Sequence, residues 1–271
     1  MSQIDEGPRY QCARRQQGVT FRLYLVFLLA LLVCPTGVGQ EREKVLTAKV
    51  FKNAQGETLR YRLFVPNNYD GKKKYPLVVY LHGGGGRGTD NLKQIQGGNG
   101  YLIDFFTQAE TQSRYPSLVV APQSPMQEGW IEYDSITPTR QLRLVFELIR
   151  DLQRSYSIDS SRLYVSGQSM GGFGTFAIIS EHPQLFAAGV AVCGGGDESK
   201  VSRLVGTPVW AFHGDKDEAV SVERSRNIVA AIRKAGGQAM YTEYAGADHL
   251  IWSKVVREPE LLSWLFAQRR R

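Results

Sequence analysis

Short apolar runs separated by polar, glycine-bearing turns recur along the chain from about residue 47 onward. "TAKVFKN" and "TLRYRLFVP" alternate apolar with polar positions and are joined through Asn53 to Gly56, which predicts an antiparallel pair at a sheet edge. "PLVVYLH", "SLVVAP", "RLYVSG", "AAGVAVC" and "TPVWAFHG" are apolar nearly throughout, as strands covered on both faces are, and "AMYTEYAG" reads as one more strand. Between the runs lie segments with helical spacing: Leu142, Val145, Phe146, Ile149 and Leu152; then Phe173, Phe176, Ala177 and Ile179; then Val222, Ile228, Val229 and Ile232. Strands alternating with helices predict an α/β fold, a mostly parallel central sheet flanked by helices and joined by right-handed crossovers. The glycine-rich piece from Gly83 to Gly100 reads as a loop beside the sheet's carboxyl edge, where open α/β sheets place their sites.

The N-terminus breaks this pattern. Arg9, Arg14, Arg15 and Arg22 precede the apolar run Leu23 to Val33, after which come Pro35 and the small residues of "TGVGQ". That order predicts a signal peptide over residues 1–39 and one domain over 40–271, exported to the periplasm or beyond. The run is 11 residues long, whereas a spanning helix needs about 20, so membrane contact is expected only if the leader is kept as an anchor. Cys12 and Cys34 fall within the leader, which leaves Cys193 without a disulfide partner in the mature chain. "AVCGGG" sets no base or cation beside it, so it reads as a packed small hydrophobe.

With 271 residues, 42% of them hydrophobic, the chain can bury one substantial core. Its formal charge of +7 raises the question of a nucleic-acid partner, but the basic residues are dispersed and match no nucleic-acid motif, so none is expected.

Candidate chemistry centres on Gly167-Gln168-Ser169-Met170-Gly171, a G-x-S-x-G pattern between the apolar "LYV" and an apolar helix. There a strand turns abruptly into a helix and presents the serine hydroxyl above the sheet. A serine hydroxyl is a poor nucleophile near neutral pH, so it needs a base and a group to orient that base. On this strand–turn–helix arrangement the expected order is Ser, acid, His. Of the four histidines only His249 lies beyond both Ser169 and the acids of "HGDKDEAV". His82 is expected to shape the glycine loop, His182 to end a helix, and His213 to bond to backbone. Asp217 is favoured as the acid because the extra residues after the strand carry it outward, while Asp215 can cap the turn; Asp197 and Asp248 compete. Oxyanion donors are expected from the amides of Met170 and Gly84, with Gly85 next in line. Trp130 and Trp252, with Tyr133, are candidates to line the substrate pocket, and core packing is the competing role for them. Asn91 and Gln123 bond near the site or hold loops. The histidines lack ligand spacing, so no metal or other cofactor is expected.

"YLHGGGGRGTDN", "GWIEYD", "VSGQSMGGFGT", "VCGGGD", "VWAFHGDKDEAV" and "YTEYAGADHLIW" together resemble the α/β-hydrolase superfamily. They look most like its exported bacterial carboxylesterases, related to feruloyl esterases, polyhydroxybutyrate depolymerases and dienelactone hydrolases. The resemblance runs from about Val45 to Phe266. It implies Ser169 as nucleophile, Asp217 as acid and His249 as base, acting on a small-molecule or polysaccharide-linked ester. A peptidase or amidase with the same triad, and a non-catalytic binding protein on the same fold, are the other readings.

Overall fold

The computed structural model describes residues 42–270; the expected leader and its cleavage point lie outside the described residues. Eight strands form one sheet in the order β1-β2-β4-β3-β7-β8-β9-β10. They are β1 (Thr47–Lys52), β2 (Thr58–Phe64), β3 (Tyr75–Leu81), β4 (Leu118–Gln123), β7 (Ile158–Gln168), β8 (Ala188–Val192), β9 (Val209–Gly214) and β10 (Ala239–Tyr244). β2 runs against both of its neighbours, and every pairing from β4 to β10 is parallel. A separate two-stranded hairpin, β5 (Ile131–Glu132) with β6 (Thr137–Pro138), precedes the long helix.

Helices cover both faces. On one side, α3 (Arg140–Ser155), α4 (Met170–Glu181) and α5 (Glu223–Lys234) share a core with Leu77, Val79 and Leu81 of β3. On the other, α1 (Gly100–Thr107), α6 (Trp252–Val255) and α7 (Leu261–Ala267) share a second core with Val78 and Tyr80 of the same strand. A further helix, α2 (Ala109–Arg114), leads into β4. β3 is therefore buried from end to end because successive side chains enter opposite cores. α3 begins where the Thr139 hydroxyl accepts from the Leu142 amide, and it buries the stripe Leu142, Val145, Ile149 and Leu152 that its spacing predicts.

Two details depart from the sequence reading. The segment Gly83 to Gly100 is not one open loop but three 3-10 turns, Gly84–Gly86, Lys93–Ile95 and Gly97–Asn99, running into α1. Asn91 and Gln123 lace it together: the Asn91 amide donates to Gln123 Oε1 at 2.6 Å, and Gln123 Nε2 donates to Gly86 O at 3.1 Å. β7 starts at Ile158, ahead of the apolar run, because the backbone of polar residues 159–161 continues the strand. Among the described residues no helix is long and apolar enough to cross a membrane.

Candidate active site

Ser169 sits between the last residue of β7 and the first of α4 with φ 54° and ψ −120°, a backbone conformation that non-glycine residues rarely adopt. Its amide donates to Val192 O at 2.7 Å, which ties the turn to the end of β8. The flanking glycines make the turn possible, since a Cβ on Gly167 would stand 2.1 Å from Gly171 O. Strand and helix are thus in backbone contact, and the serine side chain projects from the junction.

His249 lies on the loop after β10. Its Nε2 is 2.9 Å from Ser169 Oγ and its Nδ1 is 2.6 Å from Asp217 Oδ2. Asp217 follows β9, and its Oδ1 accepts the amides of Ala219 (2.9 Å) and Val220 (2.8 Å). Burial opposes charge on this carboxyl, yet the His249 bond and the two amides outweigh it and hold it below the usual carboxylate range. The structure therefore brings together Ser169, read from its glycine-flanked turn, His249, read from its order in the chain, and Asp217, favoured for its reach beyond the strand. The competing acids are engaged elsewhere: Asp197 accepts the Ser199 amide and Asp248 the Leu250 amide in local turns, whereas Asp215, expected to cap its own turn, accepts the Gly246 amide and so ties the loop after β9 to the one after β10. Trp252 stands edge-on to the His249 ring, centroids 5.2 Å apart, and is almost fully buried, so it packs against that imidazole.

Two backbone amides have no acceptor among the described residues: that of Met170, directly after Ser169 at the start of α4, and that of Gly84, which follows Gly83, where a Cβ would stand 3.3 Å from Gln168 O. The second is placed by His82. The Ser124 amide donates to His82 Nε2 at 3.0 Å, which leaves the ring proton on Nδ1, and Nδ1–H donates to Gly83 O at 2.7 Å. That bond orients the peptide whose other end is the Gly84 N–H. Burial keeps the ring neutral, its pKa pushed down to about 4.

All four loops leave the carboxyl ends of parallel strands: β3 for Gly84, β7 for Ser169, β9 for Asp217 and β10 for His249. A solved thermostable esterase has the same fold over 84% of this chain, with a TM-score of 0.81 and 40% sequence identity. The fold is that of an α/β-hydrolase. A model of the prolyl oligopeptidase family matches residues 139–199 of this α/β-hydrolase, the stretch that carries the serine turn. A bifunctional acetylxylan esterase/xylanase from Neocallimastix patriciarum is 28% identical over 190 residues, 69% of this chain and 26% of that protein. A venom dipeptidyl peptidase 4 from Vespula vulgaris is 26% identical over 239 residues, covering 72% of this chain and 29% of its own length. The α/β-hydrolase chain thus spans little more than a quarter of these two relatives, and 64% of the solved esterase.

The structure corrects one expectation for this α/β-hydrolase. Trp130 does not line a pocket: it is 0% exposed, and its Nε1 donates to His82 O at 3.0 Å. Its indole belongs to the core beneath the glycine loop. Tyr133, three residues on, is instead 54% exposed and stands edge-on to Phe173, one helical turn past Ser169, with centroids 5.7 Å apart. The sequence reading also left His213 with backbone contacts alone. Its Nε2 does reach Val220 O at 3.0 Å, but it also lies 3.1 Å from Asp217 Oδ2. Cys193 is buried next to the same carboxylate, and burial, reinforced by the Asp217 charge, pushes its thiol far up. The donor atoms of Cys193, His213 and Asp217 lie within 4.8 Å of one another. Those of His213 and Asp217 are already committed to hydrogen bonds, and the thiol is held protonated.

Proposed function

We propose that the protein is a serine hydrolase of carboxylic esters that works through an acyl-enzyme on Ser169. The observation that carries this reading is the continuous bond path from Ser169 Oγ through His249 to Asp217, at 2.9 and 2.6 Å, at a turn whose backbone is strained to present the hydroxyl. Asp217, ionised, accepts from His249 Nδ1–H, so Nε2 presents its lone pair to the serine hydroxyl. As Ser169 Oγ attacks the ester carbonyl carbon, its proton passes to His249 Nε2. The carbonyl oxygen takes the negative charge and is met by the Met170 and Gly84 amides. The C–O bond to the alcohol breaks as His249 returns the proton to the leaving oxygen. Water, giving its proton to His249, then attacks the acyl-serine carbonyl carbon, and collapse frees the acid and restores Ser169. Preorganised amides and a strained nucleophile contribute without rearrangement at the moment of reaction. The substrate in this reading is a small-molecule or polysaccharide-linked ester, with Tyr133 and Phe173 beside the acyl group. The leader-like pattern before residue 40 goes with export.

A fluorophosphonate probe should label the wild-type protein and not Ser169→Ala. Ser169→Ala and His249→Ala should lose at least about 10³-fold in kcat on p-nitrophenyl acetate, and Asp217→Asn about 10²- to 10⁴-fold, with melting temperatures close to wild type. Wild-type turnover by Ser169→Ala would refute the proposal. The family match over 139–199 favours a second reading, in which the same groups cleave a peptide bond. Matched acyl groups presented as ester and as amide decide between them: comparable kcat/KM on the two would support the peptidase.

A further inference from the structure

The carboxylate of Asp217 serves two imidazoles. His249 Nδ1 is 2.6 Å from Oδ2, and His213 Nε2 is 3.1 Å from the same oxygen, with both the His213 and Asp217 side chains at 0% exposure. His213 is held at its other end too: its Nδ1 is 2.7 Å from Ser225 Oγ on α5, and that hydroxyl is 2.8 Å from Gly194 O.

The hydrogen-bond inventory restricts the ring to few states. Ser225 has one hydroxyl proton. If it goes to Gly194 O, His213 Nδ1 must carry a proton of its own; in a neutral ring Nε2 is then a bare lone pair facing two acceptors, Val220 O and Asp217 Oδ2. That arrangement is repulsive in a buried site. If the Ser225 proton goes to His213 Nδ1, Nε2 carries the ring proton and donates to both oxygens. The neutral ring is therefore the Nε2–H tautomer: it leaves one oxygen pair without a proton between them, Ser225 Oγ and Gly194 O at 2.8 Å, where the other tautomer leaves Nε2 facing both Val220 O and the charged Asp217 Oδ2. The cationic ring satisfies every contact, including Ser225 to Gly194 O, but burial works against it and pushes the His213 pKa down.

We propose that His213 is a positioning residue for the acid: a neutral second histidine whose Nε2–H holds Asp217 Oδ2 in line with His249 and tempers the charge that His249 feels. The inference rests on the serine-hydrolase reading above. Two imidazolium ions cannot both be neutralised by one carboxylate, so the neutral state of His213 reserves the charge of Asp217 for the imidazolium that forms on His249 in each half-reaction. The groups that face His213 are Asp217, His249, the thiol of Cys193, Ser225 and, from the register-paired position on β10, Glu243. Glu243 is itself paired at 2.6 Å with Arg226, the residue after Ser225 on α5, so its charge is already answered.

Two variants separate positioning from packing. His213→Leu removes the donor, while His213→Gln places an amide N–H where Nε2–H stood. For His213→Leu the expected result is a loss of about 10- to 100-fold in kcat with KM within about 2-fold. Its acid limb of kcat/KM should move to higher pH by about half to one unit, because an untempered carboxylate favours the protonated base. His213→Gln should recover most of the kcat and return the limb to its wild-type position. An unmoved limb in a folded His213→Leu protein overturns the proposal, as does equal impairment of both variants. Ser169→Ala in parallel keeps the two claims apart: its loss of turnover with an unmoved His213→Leu limb overturns the role of His213 alone, whereas its retention of turnover overturns the serine-hydrolase reading and this inference together.

Discussion

A Cβ on Gly171 would lie 1.9 Å from the carbonyl oxygen of Leu81. The first turn of α4 therefore rests directly on the end of β3, and the Ser169 turn is braced by the strand that leads into the glycine loop.

Gly171→Ala cannot be absorbed by side-chain motion, since the opposing atom is backbone. It is expected to destabilise the protein by about 3 kcal/mol or more, at the severe end for overpacking. Gly85→Ala, whose Cβ would meet nothing within 4 Å, is expected to leave the melting temperature within about a degree or two. Thermal melts of the two variants side by side check the contrast.

Stability should fall on mild acidification. His82 is fully buried with its pKa depressed from 6.5 to about 4, so between those values the unfolded chain takes up a proton that the folded one refuses. The sign follows: stability is fully present above about pH 6.5 and is lost as pH falls toward 4, by about 3 kcal/mol for this group. His213, also depressed, acts in the same direction. Asp217, held below its ordinary value, adds a further loss only at lower pH. Melting temperature measured from pH 7.5 to 4.5 should drop in the wild type. His82→Asn, which keeps a donor toward Gly83 O without the titration, should show a shallower slope.

Trp130 belongs to the core, so Trp130→Ala is expected to cost about 3–5 kcal/mol through the cavity and the lost bond to His82 O. KM for a short-chain ester should stay within about 2-fold of wild type for the folded fraction. A selective rise in KM with unchanged stability would instead return Trp130 to the substrate pocket. Denaturant melts and initial rates on the same preparation separate the outcomes.

Much of this architecture is legible in the residues. β3 and β9 read as buried strands because apolar side chains fill both of their faces, and α3 reads as a helix because Leu142, Val145, Ile149 and Leu152 share one stripe. The hairpin β5 and β6 escaped because two-residue strands carry no periodicity. α1 escaped because it emerges directly from a run of glycines that signals loop.

The sequence by itself determined what is local. The steric demands of a G-x-S-x-G turn span five residues, so Ser169 and its glycine supports could be recognised without knowing what lies nearby. Chain order likewise singled out His249. Tertiary structure decided what depends on distance between loops. Asp215 and Asp217 are near neighbours in the chain, yet the turn after β9 aims one at the Gly246 amide and the other at His249. Trp130 and Tyr133 have similar chemistry, but the fold buries one under the glycine loop and exposes the other beside Phe173. His213 gives no sign in the sequence of sharing the acid with His249. Their common oxygen exists only because parallel pairing of β9 and β10 brings both loops to the same end of the sheet.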